Sequence, residues 1–155
     1  MCCPNRFQGL PRAKCWTSCE PSVSSAVPDY LDTSAFIKLV RSEPESPALH
    51  ADLDARPSRV SSALLLVEGR RSAARYGAVA LARARSSLTA ISLVPLDDAV
   101  LDAAADLEPR ELRSLDALHL ATAITLGDDL ERFYCYDPRL SAAAAALGID
   151  VRAPT

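Results

Sequence analysis

The sequence has no stretch near the roughly 20 consecutive apolar residues that a membrane-spanning helix requires. Its first 28 residues also lack the apolar run of a secretory signal. These two absences lead us to expect a cytoplasmic protein that does not act at a membrane.

Aromatic residues and glycines are scarce, and neither sign of charge dominates. Aromatic residues make up 5% of the chain, so leucine, valine, isoleucine and alanine must supply most of the core. The five glycines are scattered, which argues against a glycine-rich loop that cradles phosphates. A net charge of −3 argues against a broad basic surface that grips nucleic acid. It leaves room for an enzyme that meets RNA through metal ions and a few arginines.

Cysteines are almost absent from the body of the chain. Four of the five, Cys2, Cys3, Cys15 and Cys19, lie near the start, and only Cys135 lies further on. This distribution excludes a disulfide framework for the domain. A zinc site made by the four early cysteines stays an alternative, although their spacing lacks paired C-x-x-C motifs and no histidine is near.

Residues 1–28 differ from the rest of the chain. They are rich in cysteine, proline and serine and show no helical or strand periodicity. We expect them to form a disordered extension or to be misassigned, with Val27 as the true start. We place the folded domain at residues 29–155.

From residue 29 onward, short apolar strands alternate with helices. The patterns predict strands at 29–31, 59–61, 91–94, 132–136 and 149–151. They predict helices at 33–40, 45–55, 62–76, 78–87, from 98 onward, 115–126 and 138–147. Thr33 or Ser34 is expected to cap the first helix, and Ser114 the sixth. This alternation predicts an α/β fold, with a parallel sheet covered by helices on both faces.

Two acidic residues follow predicted strands. Asp32 comes after the first strand and Asp137 after the fourth. Ligands of parallel sheets bind outside the carboxyl ends of the strands, so these acids are candidates for one shared site. The alternative is that each is an ordinary helix N-cap. For Asp32 we favour a ligand-facing role, because Thr33 or Ser34 is available to cap the helix.

Asp116 lies in a predicted helix, 115–126, that is apolar on almost every side. Such a helix should be buried, and a buried carboxylate needs a partner or a metal ion. The alternative is a favourable interaction with the helix N-terminus or with Arg113. His119, one turn further on, is expected to be a core histidine bonded to a backbone group.

Glu68 follows a run of four apolar residues. Its alternative role is a surface ion pair with Arg71 or Arg75. Several carboxylates brought close together would suit hard cations such as Mg²⁺ or Mn²⁺. The candidate cluster consists of Asp32, Glu68, Asp116 and Asp137.

Four segments together resemble PIN-domain ribonuclease toxins of the VapC type. They are residues 30–35 (YLDTSA), 67–68 (VE), 113–121 (RSLDALHLA) and 136–140 (YDPRL), in the expected order. The first and third segments are the more specific. The early extension departs from the family pattern, because these toxins usually start close to the first strand.

The resemblance implies a PIN-like three-layer α/β/α sandwich with a central, mostly parallel sheet. It implies an Mg²⁺-dependent endoribonuclease, with Mn²⁺ as a substitute, that forms a homodimer and binds a VapB-type antitoxin. Within the site it assigns Asp32, Glu68, Asp116 and Asp137 to catalysis and metal binding, and Thr33 to a supporting role.

Other functions are compatible with parts of the pattern. A haloacid dehalogenase-type phosphatase needs a second acid two residues after Asp32, where this chain has Ser34. Two alternatives stay open. One is a non-catalytic α/β interaction module whose acids are caps and surface pairs, and the other is a housekeeping PIN nuclease without an antitoxin.

Overall fold

The computed structural model describes residues 27–155. The expected extension, residues 1–28, lies outside the described residues apart from Val27 and Pro28, and the alternative zinc site lies wholly outside them. Within residues 27–155, no helix has the length and apolar character needed to cross a membrane.

Five strands form one sheet in which every neighbouring pair is parallel. Their order across the sheet is β3-β2-β1-β4-β5. The strands are β1 (Asp29–Leu31), β2 (Arg59–Ser62), β3 (Ser92–Val94), β4 (Phe133–Tyr134) and β5 (Val151–Arg152). The first strand therefore lies at the centre, with β2 on one side and β4 on the other.

Helices cover both faces of this sheet. They are α1 (Thr33–Val40), α2 (Ser46–Asp54), α3 (Leu64–Ala74), α4 (Ala78–Leu88), α5 (Asp98–Ala105), α6 (Ser114–Leu126) and α7 (Pro138–Ala146). Helices α1 to α4 supply the core on one face. Helices α6 and α7 supply the core on the other, with α5 packed against α6. The predicted three-layer α/β/α architecture is confirmed.

The central strands bury side chains on both faces, as strands of a covered parallel sheet do. Tyr30 and Phe133 point to the face of α6 and α7, where their rings stack with centroids 5.0 Å apart. Leu31 and Tyr134 point to the opposite face and pack among α1 to α4. This alternation explains why both residues of β4, and the two residues of β1 that follow Asp29, carry large apolar side chains.

The order of the strands creates a crevice at one end of the sheet. The chain runs outward from β1 through β2 and β3, then returns to the other side of β1 for β4 and β5. The helix after β1 packs on one face and the helix after β4 packs on the other. The two connections separate above the sheet, which is where α/β proteins of this type bind ligands.

The cap predicted for α1 was wrong. The N-cap is Asp32, whose Oδ1 accepts the N–H of Ala35 at 2.8 Å, and not Thr33 or Ser34. Similarly, Ser114 is the first residue of α6 and not its cap. The hydroxyl of Ser34 has other partners. It donates to Asp32 and accepts the N–H of Tyr136 at 2.7 Å.

That same bond explains why β4 is shorter than the predicted strand 132–136. The N–H of Tyr136 binds the Ser34 hydroxyl and so takes no part in the sheet. The predicted strands 91–94 and 149–151 also differ from β3 and β5, which begin one and two residues later.

Helix α3 approaches α1 closely at Gly69. A Cβ atom at this position would lie 2.7 Å from Cε1 and 2.9 Å from Cδ1 of Phe36. Phe36 is fully buried, so its ring has little room to move aside. The absence of a side chain at Gly69 therefore sets the distance between the two helices, and with it the position of Glu68.

We expect Gly69→Ala to destabilise the protein by about 1–3 kcal/mol, the usual cost of overpacking a core. A Gly→Ala change in an unobstructed helix has the opposite sign and stabilises by roughly 0.5–1 kcal/mol. Urea unfolding measures the difference. In a Phe36→Leu background the cost should shrink, and a stabilised Gly69→Ala protein would contradict the steric account.

Candidate functional site

Acidic side chains from four parts of the chain line one cavity of about 400 Å³ at the crevice above β1 and β4, and a fifth acid, Glu43, lines it in an ion pair with Lys38. Of the first four, two directly precede helices α1 and α7, and the other two lie within α3 and α6. The cavity brings together the whole predicted set: Asp32, Thr33, Glu68, Asp116 and Asp137. The structure therefore places these residues side by side despite their separation in sequence.

Asp32 is buried and fixed in position, with 3% of its surface exposed. Its Oδ1 accepts the N–H of Ala35 at 2.8 Å and the hydroxyl of Ser34 at 2.7 Å. Its Oδ2 accepts the thiol of Cys135 at 3.3 Å. Burial raises the pKa of Asp32, and the bonds from Ala35 and Ser34 oppose that rise. Asp32 is thus both a helix cap and a wall of the cavity.

Glu68 does not form the surface ion pair that was its alternative role. Its Oε2 accepts the hydroxyl of Thr33 at 2.6 Å and lies 3.0 Å from Nε2 of His119. Burial opposes ionisation of Glu68, but the bonds from His119 and Thr33 outweigh it and lower the pKa of the carboxyl. Glu68 is therefore a charged carboxylate held on two sides.

His119 is buried, as predicted, but the prediction that it bonds a backbone group was wrong. Its Nδ1 lies 2.8 Å from the hydroxyl oxygen of Tyr30, which also accepts the N–H of Ser62 at 3.0 Å. Its Nε2 lies 3.0 Å from Oε2 of Glu68 and 3.1 Å from the hydroxyl oxygen of Thr33, and because an ionised carboxylate can only accept, Nε2 carries a proton that faces Glu68. A chain of hydrogen bonds thus runs from the sheet to the cavity.

Asp116 is held less completely than the other acids. Its Oδ2 is buried and has no hydrogen-bond partner within the described residues. Burial raises the pKa of Asp116, and repulsion from Asp137 and Asp32 adds to the rise, while Arg113 and His119 lower it. No salt bridge to Arg113 forms within residues 27–155. The buried oxygen is left facing like charges.

Asp137 caps α7 as its alternative role required. Its Oδ1 accepts the N–H groups of Arg139 at 2.8 Å and Leu140 at 3.1 Å. Like Asp32, it combines this cap with a place in the cavity wall. The capping bonds fix the carboxylate where its charge acts on Asp116.

A buried acid without a partner does not by itself identify the site. Asp29, at the other end of β1, is 1% exposed and both its oxygens lack a hydrogen-bond partner within the described residues. Burial raises the pKa of Asp29 to about 6, an effect that Arg56 partly offsets. What distinguishes Asp116 is that other carboxylates share its cavity.

The donor chemistry of the cavity fits a hard divalent cation. Carboxylate oxygens are preferred ligands of Mg²⁺ and Mn²⁺, and a cation would relieve both the repulsion at Asp116 and its unpartnered oxygen. Within residues 27–155, no three acidic, histidine or cysteine side chains already stand together as a metal-binding group. The cavity therefore fits a divalent cation in its charge and in the type of its donor atoms, and not as a preformed set of ligands.

Sequence reasoning missed three residues that hold the site together. Ser34 links Asp32 to the end of β4, Cys135 contacts Asp32 from β4, and Tyr30 orients His119. The spacing of His119 one turn after Asp116 gives no sign of Tyr30, whose contact with His119 spans 89 residues. The contacts of Ser34 and Cys135 span more than 100 residues and leave no local pattern.

This chain is similar in sequence to one protein family and to several known proteins. The model of a family described as the PIN domain matches residues 30–146. Ribonuclease VapC46 of Mycobacterium tuberculosis is 48% identical over 126 residues, which cover 81% of this chain and 97% of that protein. Ribonuclease VapC47 of the same species is 38% identical over 130 residues, which cover 81% and 96%.

A solved structure is similar as well. The crystal structure of VapC20 of Mycobacterium tuberculosis, described as a sarcin-ricin loop cleaving toxin, matches with a TM-score of 0.59. The match covers 74% of this chain and 93% of the other at 22% identity, so it bears on the fold alone.

We expect Asp116→Asn to make the protein more stable at about pH 7–8 in the absence of divalent cations. The folded-state pKa of Asp116 is raised, so the folded state loses stability as pH rises and the carboxyl ionises. The gain from the substitution should therefore vanish as the pH falls toward about 4. Thermal melts in EDTA across this pH range measure it.

Asp102→Asn is the matched control. Asp102 is exposed on α5, away from the cavity, so its substitution should leave the melting temperature unchanged at every pH. A wild-type protein at least as stable as Asp116→Asn near pH 8 would show that the carboxylates do not repel one another as described.

Proposed function

Because this chain belongs to the PIN domain family and is of the VapC type, we propose that it is a metal-dependent endoribonuclease, the toxin of a type II toxin–antitoxin pair. The observation that carries the proposal is the convergence of four carboxylates on one cavity. A non-catalytic interaction module has no need to gather acids that repel one another.

The proposed metal ligands are Asp32, Glu68, Asp116 and Asp137, with Mg²⁺ as the cation and Mn²⁺ as a substitute. The cation, when bound, supplies an activated water and stabilises the leaving oxygen of a phosphodiester. The reaction is a direct hydrolysis. A water oxygen bonds to phosphorus, the bond from phosphorus to the leaving ribose oxygen breaks, and that oxygen takes up a proton.

The chain's own residues hold these carboxylates for the reaction. Three hydrogen-bond donors fix Asp32, so little reorganisation is needed when charge develops nearby. Thr33 and His119 fix Glu68 and keep it ionised at neutral pH. Thr33 therefore acts as a positioning residue, through the hydroxyl that it donates to Glu68.

The proposed partners are an RNA substrate, a second copy of the chain in a homodimer, and a VapB-type antitoxin. The proposed compartment is the cytoplasm. An antitoxin with a basic segment would form charge-assisted bonds to the acids of the cavity and exclude the metal. The alternative of a housekeeping nuclease without an antitoxin shares the chemistry and differs only in this partner.

Asp116→Asn and Asp32→Asn should each slow Mg²⁺-dependent cleavage of a structured RNA by about 100-fold or more. Each removes one negative charge from the proposed metal ligands, and even changes one shell further out cost about 10- to 100-fold. EDTA should abolish cleavage by the wild-type protein, and Mn²⁺ should restore it. Initial rates from labelled RNA, beside a thermal melt of each variant, provide the measurement.

Asp97→Asn is a close control for Asp32→Asn. Asp97 caps α5 by accepting the N–H of Val100 at 3.0 Å, as Asp32 caps α1, but it lies outside the cavity. Asparagine caps a helix about as well as aspartate, so a residue that only caps should tolerate the change. Full activity in Asp32→Asn, or cleavage that persists in EDTA, would rule out the metal-nuclease proposal.

Expression of the wild-type chain alone should slow the growth of a bacterial host, and co-expression of the product of the adjacent gene should restore it. Asp116→Asn should not slow growth, because toxicity depends on the proposed cleavage. Growth curves and co-purification of the two proteins test the pair. Active nuclease without toxicity or a co-purifying partner would favour the housekeeping alternative.

A further inference from the structure

Helices α3 and α4 carry a concentration of positive charge on a chain whose net charge is −3. Residues 64–90 contain five arginines and a single acid, Glu68. All five arginines are exposed: Arg70, Arg71, Arg75, Arg83 and Arg85. The chain is acidic overall, but helices α3 and α4 expose a local concentration of positive charge.

The arginines nearest the cavity are not neutralised. Glu68 was the natural partner of Arg71 and Arg75, but its carboxylate is taken by Thr33 and His119. Within the described residues, the guanidinium group of neither arginine forms a salt bridge or a hydrogen bond. Arg71 and Arg75 also lie four positions apart on α3, where like charges repel each other and reduce helix stability. Both also lie at the C-terminal end of α3, where the helix dipole favours positive charge, so it is their place beside the cavity that points to a ligand.

Their position relates them to the cavity. Along α3 and its end, the cavity is lined by Glu68, Ser72 and Tyr76. Arg71 follows Glu68 by three residues and Arg75 follows Ser72 by three, so each lies beside a lining residue on the helix surface. Both are exposed and neither lines the cavity itself, which places them next to its α3 wall on the solvent side.

Tyr76 adds an aromatic surface at the same place. It lines the cavity and is 49% exposed, which is unusual in a chain with so few aromatic residues. The guanidinium of Arg41 lies over its ring, 4.2 Å from the centroid, and is itself paired with Glu43. We call Arg71, Arg75 and Tyr76 the α3 rim.

We propose that the α3 rim binds single-stranded RNA next to the phosphate that is cut. The arginines bind backbone phosphates through their forked N–H groups, and Tyr76 stacks on a base. This inference rests on the proposed ribonuclease function. The cavity is rich in carboxylates that repel a phosphate backbone, and Lys38 in its lining is already paired with Glu43 and Glu45, so a substrate needs cations just outside it. Exposed, unpaired arginines beside an exposed aromatic ring supply that attraction.

The test uses the double variant Arg71→Gln/Arg75→Gln and the matched control Arg110→Gln/Arg152→Gln. The control removes the same charge from exposed arginines that pair with their own neighbours, Glu108 and Asp150, away from the cavity. The probe is a fluorescein-labelled single-stranded RNA of roughly 20 nucleotides, which exceeds the footprint of about 4–16 nucleotides typical of single-strand-binding modules. Fluorescence anisotropy in EDTA, at several salt concentrations, measures binding.

The rim variant should bind this RNA about 10-fold or more weakly, while the control binds as the wild type does. The slope of log K against log salt concentration should become shallower by about 1.4, because each lost phosphate contact to a single strand contributes about 0.7. Tyr76→Leu should weaken binding without changing the slope, and Tyr76→Phe should bind normally.

Cleavage assays in Mg²⁺ separate this proposal from the proposed function. If the rim is correct, its variant raises KM for RNA and leaves kcat near the wild-type value. If RNA binding depends on the rim but no preparation cleaves RNA, the rim stands and the ribonuclease proposal fails. If the wild type cleaves RNA and the rim variant has the same KM and salt slope, the rim is wrong. If the rim variant binds RNA as the wild type does but no longer co-purifies with the product of the adjacent gene, the rim binds a protein and the proposal is wrong.

Discussion

The pairing of β1 with β4 is the contact on which both the core and the site depend. The N–H of Tyr30 binds the carbonyl of Arg132 at 2.8 Å, and the N–H of Asp32 binds the carbonyl of Tyr134 at 3.1 Å. These bonds set the register in which the side chains of the two strands alternate between the faces. They also bring the ends of both strands to the same edge, where the chain reverses its course across the sheet. Without that register Ser34 would not accept the N–H of Tyr136, and Asp32 would lose the thiol of Cys135 as a donor.

The acids of the cavity divide into those that the fold satisfies and one that it does not. Asp32 and Asp137 serve as helix caps, so the local backbone benefits from their charge. Glu68 is compensated by donors from α1 and α6. Asp116 alone faces its neighbours with a buried, unpartnered oxygen, and its raised pKa reflects that imbalance. Asp116 therefore carries a charge that the surrounding hydrogen bonds do not compensate, and this imbalance is the structural basis of the proposed cation site.

The sequence predicted the fold well because strand and helix periods are local. Alternation of apolar strands with capped helices was enough to establish a parallel sheet covered on both faces. The wrong predictions concern polar side chains with several potential partners. Asp32 and Ser34 could each cap α1, and the choice depends on Tyr136, about 100 residues away. His119 could bond backbone or side chains, and the choice depends on Tyr30 and Glu68. Local sequence patterns are enough to identify the candidate acids, whereas their hydrogen-bond partners depend on contacts between residues that are far apart in the sequence.

The hydrogen bonds that lead to Glu68 come from several elements of the fold, so the position of its carboxylate depends on complete folding of the chain. Ser62 belongs to β2, Tyr30 to β1 and His119 to α6, so Glu68 is held only after these three elements have packed together. Tyr30 is also a fully buried core residue stacked on Phe133. A nascent or damaged chain therefore has no fixed Glu68 carboxylate, and any reaction that requires one is confined to finished molecules. In a cell that makes a harmful protein, this dependence limits the damage, because incompletely folded copies lack the fixed carboxylate and are inactive.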